Sequence, residues 1–221
     1  MNCTRSEPAT LLVGGMRVDQ AAAREFARRY LDPATGWAYP AYYDHERARG
    51  PLVDTDFLAP VLLNVRMGIP TYRNLLAVRD ELQHKLDRLP ERGLLEATAD
   101  DIAKIADLYT VVDDGRTTGA QATTLSKVLH RKRPDLIPLY DDQVGTTYKR
   151  SPEAPVARGD ASRPWKEMMR LFVPAVRDDL LAQQDFHEEI ASFAAVPVVT
   201  PLRALDIIAW WAGGPDVVLA D

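Results

Sequence analysis

Apolar residues recur at helical spacing along most of the chain, and the recurrence predicts a run of amphipathic helices. Ala22, Phe26 and Tyr30 form one stripe over Asp19 to Leu31, with arginines opposite and Asp32-Pro33 as a stop. Phe57, Leu58, Val61, Leu62 and Val65 predict a helix from Asp54 or Thr55 to Arg66, against which Pro60 stands as an objection. Gly68-Ile69-Pro70 breaks the pattern, and Thr71 caps a further stretch to Leu86. A helix from Ala99 or Asp100 to about Val112 follows, then one from about Ala120 to Arg131. Asp141 or Asp142 caps the next, to about Lys149. Trp165 to Leu181 (with Pro174 as a kink point) and Phe186 to Ala194 come after it. Thr200 and Pro201 then open Leu202 to Ala212, with Thr200 as cap and Pro201 at the first helical position.

Between these runs, Gly36 to Asp44 is aromatic and punctuated and reads as an ordered loop. Residues 151–164 read as a flexible loop. No alternating pattern supports a sheet; Val196–Val199 and Val217–Leu219 are short candidates at most. The expectation is an all-α, two-lobed helical domain over residues 17–221 behind an N-terminal tail, residues 1–16.

Length and composition narrow the function classes. The 221 residues are enough for a core without disulfides or metal, and 46% hydrophobic with 27% charged residues is ordinary globular usage. The net charge of -5 argues against binding nucleic acid by bulk electrostatics and leaves only a local basic patch for that purpose. The single cysteine, Cys3, fits a reducing compartment, and no apolar run reaches the ~18 residues of a membrane span. A cytoplasmic protein with no cofactor and no membrane partner is expected.

Candidate chemistry concentrates in Thr118 to Val144. Lys127, His130, Arg131, Lys132 and Arg133 lie within eight residues; the link Pro134 to Tyr140 crosses over apolar anchors, and Asp141-Asp142 opens a new helix. A helix N-terminus favours an ionised carboxylate, so an acid is placed beside basic residues. Either aspartate is also legible as no more than an N-cap, Asp142 more readily than Asp141. Lys127 is legible as a functional cation or as a side chain snorkelling from the core. His45, His84, His130 and His187 are scattered, and the metal-binding HExxH spacing, the phosphate loop and the nucleophile elbow are absent.

These residues carry a resemblance. Gly119 near a hairpin, the helix Ala122 to His130, the link Ile137-Pro138-Leu139 and then Asp141 with Val144 resemble the helix-hairpin-helix region of base-excision DNA glycosylases. Closer still is a set of uncharacterised bacterial proteins, many actinobacterial. It shares Ser126, Lys127, Leu129, His130, Pro134, Leu136, Pro138, Tyr140 and Asp141, and also Pro201 to Asp206 with Trp210. The resemblance implies a glycosylase-like hydrolase cleaving an N-glycosidic bond in DNA or in a smaller nucleoside-like molecule. Asp141 and Lys127 would be catalytic, and Tyr140, His130, Ser126, Trp37 and Tyr43 would bind substrate. Gly119, Arg131 and Lys132 would meet nucleic acid. Gln121 replaces the second hairpin glycine, Thr123 stands where bifunctional glycosylases carry lysine, and no iron–sulfur cysteines are present. A non-catalytic binding module of the same fold, or an enzyme on a small metabolite in specialised metabolism or defence, stands beside this reading.

Overall fold

The structure is a computed structural model that describes residues 10–37, 39–44, 50–156, 163–194 and 197–220. It is mostly helical, with one small antiparallel hairpin. The all-α expectation therefore holds at the level of class.

The hairpin is β1 (Thr10–Val13) with β2 (Met16–Asp19). Gly14 and Gly15 both have positive φ, 57° and 79°, the geometry a two-residue turn needs to match strand twist. Leu11, Val13 and Val18 are fully buried, and Leu219 bridges back to Val18. Residues 10–16 thus belong to the folded domain and not to a tail, because alternate side chains of this short stretch find a core to enter.

Asp19 caps α1 (Gln20–Leu31) by accepting from Ala22 N at 2.7 Å. The aromatic stretch expected as a loop instead forms α2 (Tyr39–Asp44), because Tyr39 and Tyr42 are completely buried and pull the backbone inward. Asp54–Leu63 is a 3₁₀ helix and not an α-helix. Pro60 denies the run an interior N–H, and Asn64 ends it at φ 60°. The stretch to Leu86 divides at Val78 into α3 (Ile69–Ala77) and α4 (Arg79–Leu86). Helix α5 (Ala99–Asp107) begins with a capping box between Thr98 and Asp101, and α6 (Thr110–Asp113) is one turn.

Helix α7 (Ala122–Lys132) runs through the centre, and α8 (Asp142–Arg150) leaves the link after it. Helix α9 (Trp165–Ala182) continues through Pro174; α10 (Gln184–Ala191) and α11 (Pro201–Ala212) complete the fold. Residues 157–162 of the expected flexible loop, together with His45 and Val196, lie outside the described residues. Helix α11 is the hub, with α1, α8, α9 and α10 packed on it, while α7 packs on the 3₁₀ segment. Ten of its twelve residues are buried, including Arg203 and Asp206. Where α11 ends, a side chain at Gly213 would collide with the Gln143 carbonyl, so the close approach of α8 needs glycine there.

Candidate functional site

The position of Asp141 is set by hydrogen bonds that reach from α7 to the link. Ser126 Oγ donates to the Tyr140 carbonyl at 3.0 Å and accepts from Tyr140 N at 3.1 Å, closing a two-way clamp one residue before Asp141. His130 Nδ1 lies 2.7 Å from the Ile137 carbonyl and Nε2 3.0 Å from Tyr43 Oη. A carbonyl only accepts, so Nδ1 carries the proton and Nε2 accepts from the tyrosine hydroxyl. Burial, reinforced by the charge of Arg203, pushes this imidazole down to about 3 and keeps it neutral. Tyr42 Oη donates to the Lys127 carbonyl at 2.6 Å.

Held this way, Asp141 caps α8 with one oxygen and leaves the other for the interior. Oδ1 accepts from Gln143 N at 3.1 Å and Val144 N at 3.0 Å. Oδ2 faces Lys127 Nζ at 3.6 Å, with side chains 22% and 5% exposed respectively. Burial pulls the Lys127 ammonium below its ordinary value, and the Asp141 charge opposes that pull.

Helix α11 brings a second pair of charges to the same place. Asp206 Oδ2 accepts from Leu139 N at 3.2 Å. Burial pushes its carboxyl up to about 8, with the Arg203 charge working against the rise. Arg203 Nη2 donates to Tyr30 Oη at 2.9 Å, with the guanidinium 5.8 Å from the Tyr30 ring centroid. Burial disfavours the Arg203 charge, but Tyr30, Tyr43, Asp206 and Tyr42 outweigh it and hold the group above its ordinary value.

These side chains face a cavity of about 160 Å³ between α1, α7 and α11. Its polar wall is Asn64, Lys127, Asp141, Arg203 and Asp206; its aromatic wall is Tyr30, Trp37 and Trp210. Tyr30 and Trp37 ring centroids lie 5.0 Å apart, and Trp37 meets Trp210 edge-on at 5.9 Å. Such a wall offers flat apolar faces with few groups that require water.

Of the residues singled out in the sequence, Asp141, Lys127 and Trp37 meet at this cavity. Ser126 and His130 are buried behind it and position the link; Tyr43 is engaged with His130. The Tyr140 ring lies on the other side, lining a wider groove of about 490 Å³, and its hydroxyl accepts from Lys149 Nζ at 2.8 Å.

The basic end of α7 is turned to internal use. Arg131 donates to the Tyr42 carbonyl and lies over the Tyr42 ring. Lys132 is buried in an ion pair with Asp56 at 2.5 Å and donates to the Pro51 carbonyl. Gly119 turns an exposed loop at φ 86°, where a Cβ would meet Thr71 Oγ1 at 2.6 Å. The turn requires glycine there without any phosphate. Burial favoured these pairings because a desolvated ammonium must find an acceptor.

Sequence reasoning missed Arg203, Asp206, Tyr30 and Trp210 as cavity residues. Trp211 is buried in the core, whereas Trp210 is only partly buried and lines the cavity. The available signal was two charged residues one turn apart inside an otherwise apolar helix.

The fold and site define an all-α domain with a buried lysine facing a half-buried aspartate in a small aromatic-walled cavity. The chain belongs to the family of unknown function DUF6308, which matches residues 23–213. That span includes every residue of the cavity wall named above. No curated protein and no solved structure matches the chain. Among the described residues no cluster of histidine, cysteine and carboxylate side chains could hold a metal ion, and no helix is long and apolar enough to cross a membrane.

Proposed function

We propose that this protein takes the base of a small nucleoside-like ligand into the cavity and cleaves the N-glycosidic bond to it, with Asp141 as the acting carboxylate. The observation that carries the reading is the Oδ2 of Asp141, not used in the helix cap and facing Lys127 Nζ at 3.6 Å on the wall of a cavity lined by Trp37 and Trp210. Asp141 is the more exposed of the pair, so the sugar lies toward it and the base lies inward against the rings. As the bond from the anomeric carbon to the base nitrogen breaks, its electron pair leaves with the base. The Asp141 carboxylate stabilises the positive charge developing on the sugar, and water adds to the anomeric carbon, its proton passing to the departing base nitrogen.

A small substrate is favoured over duplex DNA because Arg131 and Lys132 are engaged inside the protein and the net charge is -5. Kinship with the helix-hairpin-helix glycosylases is part of this proposal, supported by Gly119 at positive φ before α7 and by Asp141 at the start of α8.

The test is release of free base from a panel of purine and pyrimidine nucleosides, followed by chromatography, with single-stranded and duplex oligonucleotides alongside. Asp141→Asn keeps the cap and should abolish release with the fold intact. A panel that yields no free base with the wild-type protein would sink the hydrolase reading. One observation favours a binding module as the second reading: both backbone bonds of Asp141 fall on Oδ1, as in an ordinary cap. In that case ligands bind equally well to the wild type and to Asp141→Asn, and neither turns over.

A further inference from the structure

Arg203 is the side chain that a cap, a core or an acid–base pair leaves unexplained. It enters the cavity wall from α11 and is 5% exposed. Its hydrogen bond from Nη2 goes to Tyr30 Oη, and Nε is buried with no partner. No carboxylate lies within 4.0 Å of the guanidinium among the described residues. A buried guanidinium with donors to spare is costly unless something else supplies the acceptor. Lys127 adds a second cation on the adjacent wall, and Asp141 is already opposite it.

From this geometry we infer that the ligand is a single flat ring bearing one carboxylate, the carboxylate received by Arg203 and the ring lying against Trp37 and Trp210. The inference rests on the reading of this cavity as a ligand site. Three features select that class. The Arg203 guanidinium lines the cavity with one hydrogen bond, from Nη2 to Tyr30, and no carboxylate partner, and a planar cation of that kind suits an oxyanion. A volume of about 160 Å³ holds one ring with a small substituent, since a cavity of about 150 Å³ admits benzene. The charges select a monoanion over a dianionic phosphate ester: Lys127 and Arg203 are positive, Asp141 offsets one of them, and Asp206, protonated below about 8, does not offset the other. In the hydrolase reading this places the carboxylate on the departing base.

Tryptophan fluorescence of the intact protein reads the test without turnover. Uracil and orotate share a ring and differ by one carboxylate; phenyl phosphate supplies the phosphate arm. Orotate should bind the wild type at least about tenfold more tightly than uracil and more tightly than phenyl phosphate. Arg203→Lys should weaken orotate roughly tenfold to a hundredfold, the scale of hydrogen bonds to a charged group, and leave uracil unchanged. The wild-type comparison stands even if that variant folds poorly. Equal binding of uracil and orotate, or no response to either, overturns the inference. Tighter binding of phenyl phosphate overturns the carboxylate in favour of phosphate. Orotate binding without base release from any nucleoside leaves this inference standing and removes the hydrolase reading. Base release without a carboxylate preference does the reverse.

Discussion

Replacing Asp206 by asparagine should change how stability depends on pH. The Asp206 carboxyl sits at about 8 against an ordinary 3.8, with burial as the main cause. Between those values the unfolded chain has lost the proton and the folded protein keeps it. Wild-type stability from this group is therefore complete below about pH 4, falls as pH rises, and levels off above about pH 8. Each pH unit in that window is worth ~1.4 kcal/mol, so the ceiling is roughly 6 kcal/mol. The asparagine side chain cannot ionise, and its amide oxygen still accepts from Leu139 N. Relative to wild type, Asp206→Asn should be about neutral near pH 4.5 and more stable by several kcal/mol at pH 8. At an m-value of ~2–3 kcal/mol/M this moves the urea midpoint up by roughly 2 M.

His130 and His187, pushed by burial to about 3 and about 4, act in the other direction. They remove stability as pH falls below their unfolded value, because the unfolded chain then takes up protons that the folded one refuses. Both histidines are present in wild type and variant, so the difference between the two urea midpoints isolates Asp206. A difference that stays constant from pH 4.5 to pH 8.5 would refute the reasoning and show Asp206 ionised beside Arg203 in the folded state.

Three further outcomes follow from the same contacts. Asp141→Ala removes the cap on Gln143 N and Val144 N and should cost about 1 kcal/mol in chemical denaturation, while Asp141→Asn should cost a few tenths. Lys132→Ala strands Asp56 in the core and should cost roughly 3–5 kcal/mol, with no change in retention on a DNA column at low salt; lost retention with unchanged stability would restore a phosphate role. Gly213→Ala drives a methyl group into the Gln143 carbonyl and should cost roughly 1–3 kcal/mol, read as a lower thermal midpoint.

Local chemistry by itself determined the helical class and several element starts. Asp19 before α1, Asp141 before α8 and the Thr200-Pro201 pair before α11 act within a single turn of backbone, so they are legible without a partner. The same logic placed Asp141 where a chain emerges from an apolar link. Residues 1–16 read as a tail because the strands that flank Gly14 and Gly15 depend on a core that receives Leu11 and Val13.

What converges on the cavity was decided only by packing. Lys127 and Arg203 come from separate helices, and Trp37 from the segment before α2; nothing near each residue marks it as a neighbour of the others. The basic run at the end of α7 looked like a surface for phosphate because charge density is a local property. Tertiary structure turned Lys132 onto Asp56 and Arg131 onto Tyr42, since burying one face of α7 forces its cations to find acceptors inside. It also buried Arg203 on the cavity wall with its Nε lacking an acceptor, an arrangement invisible in the order of residues because it depends on how α1 and α11 pack.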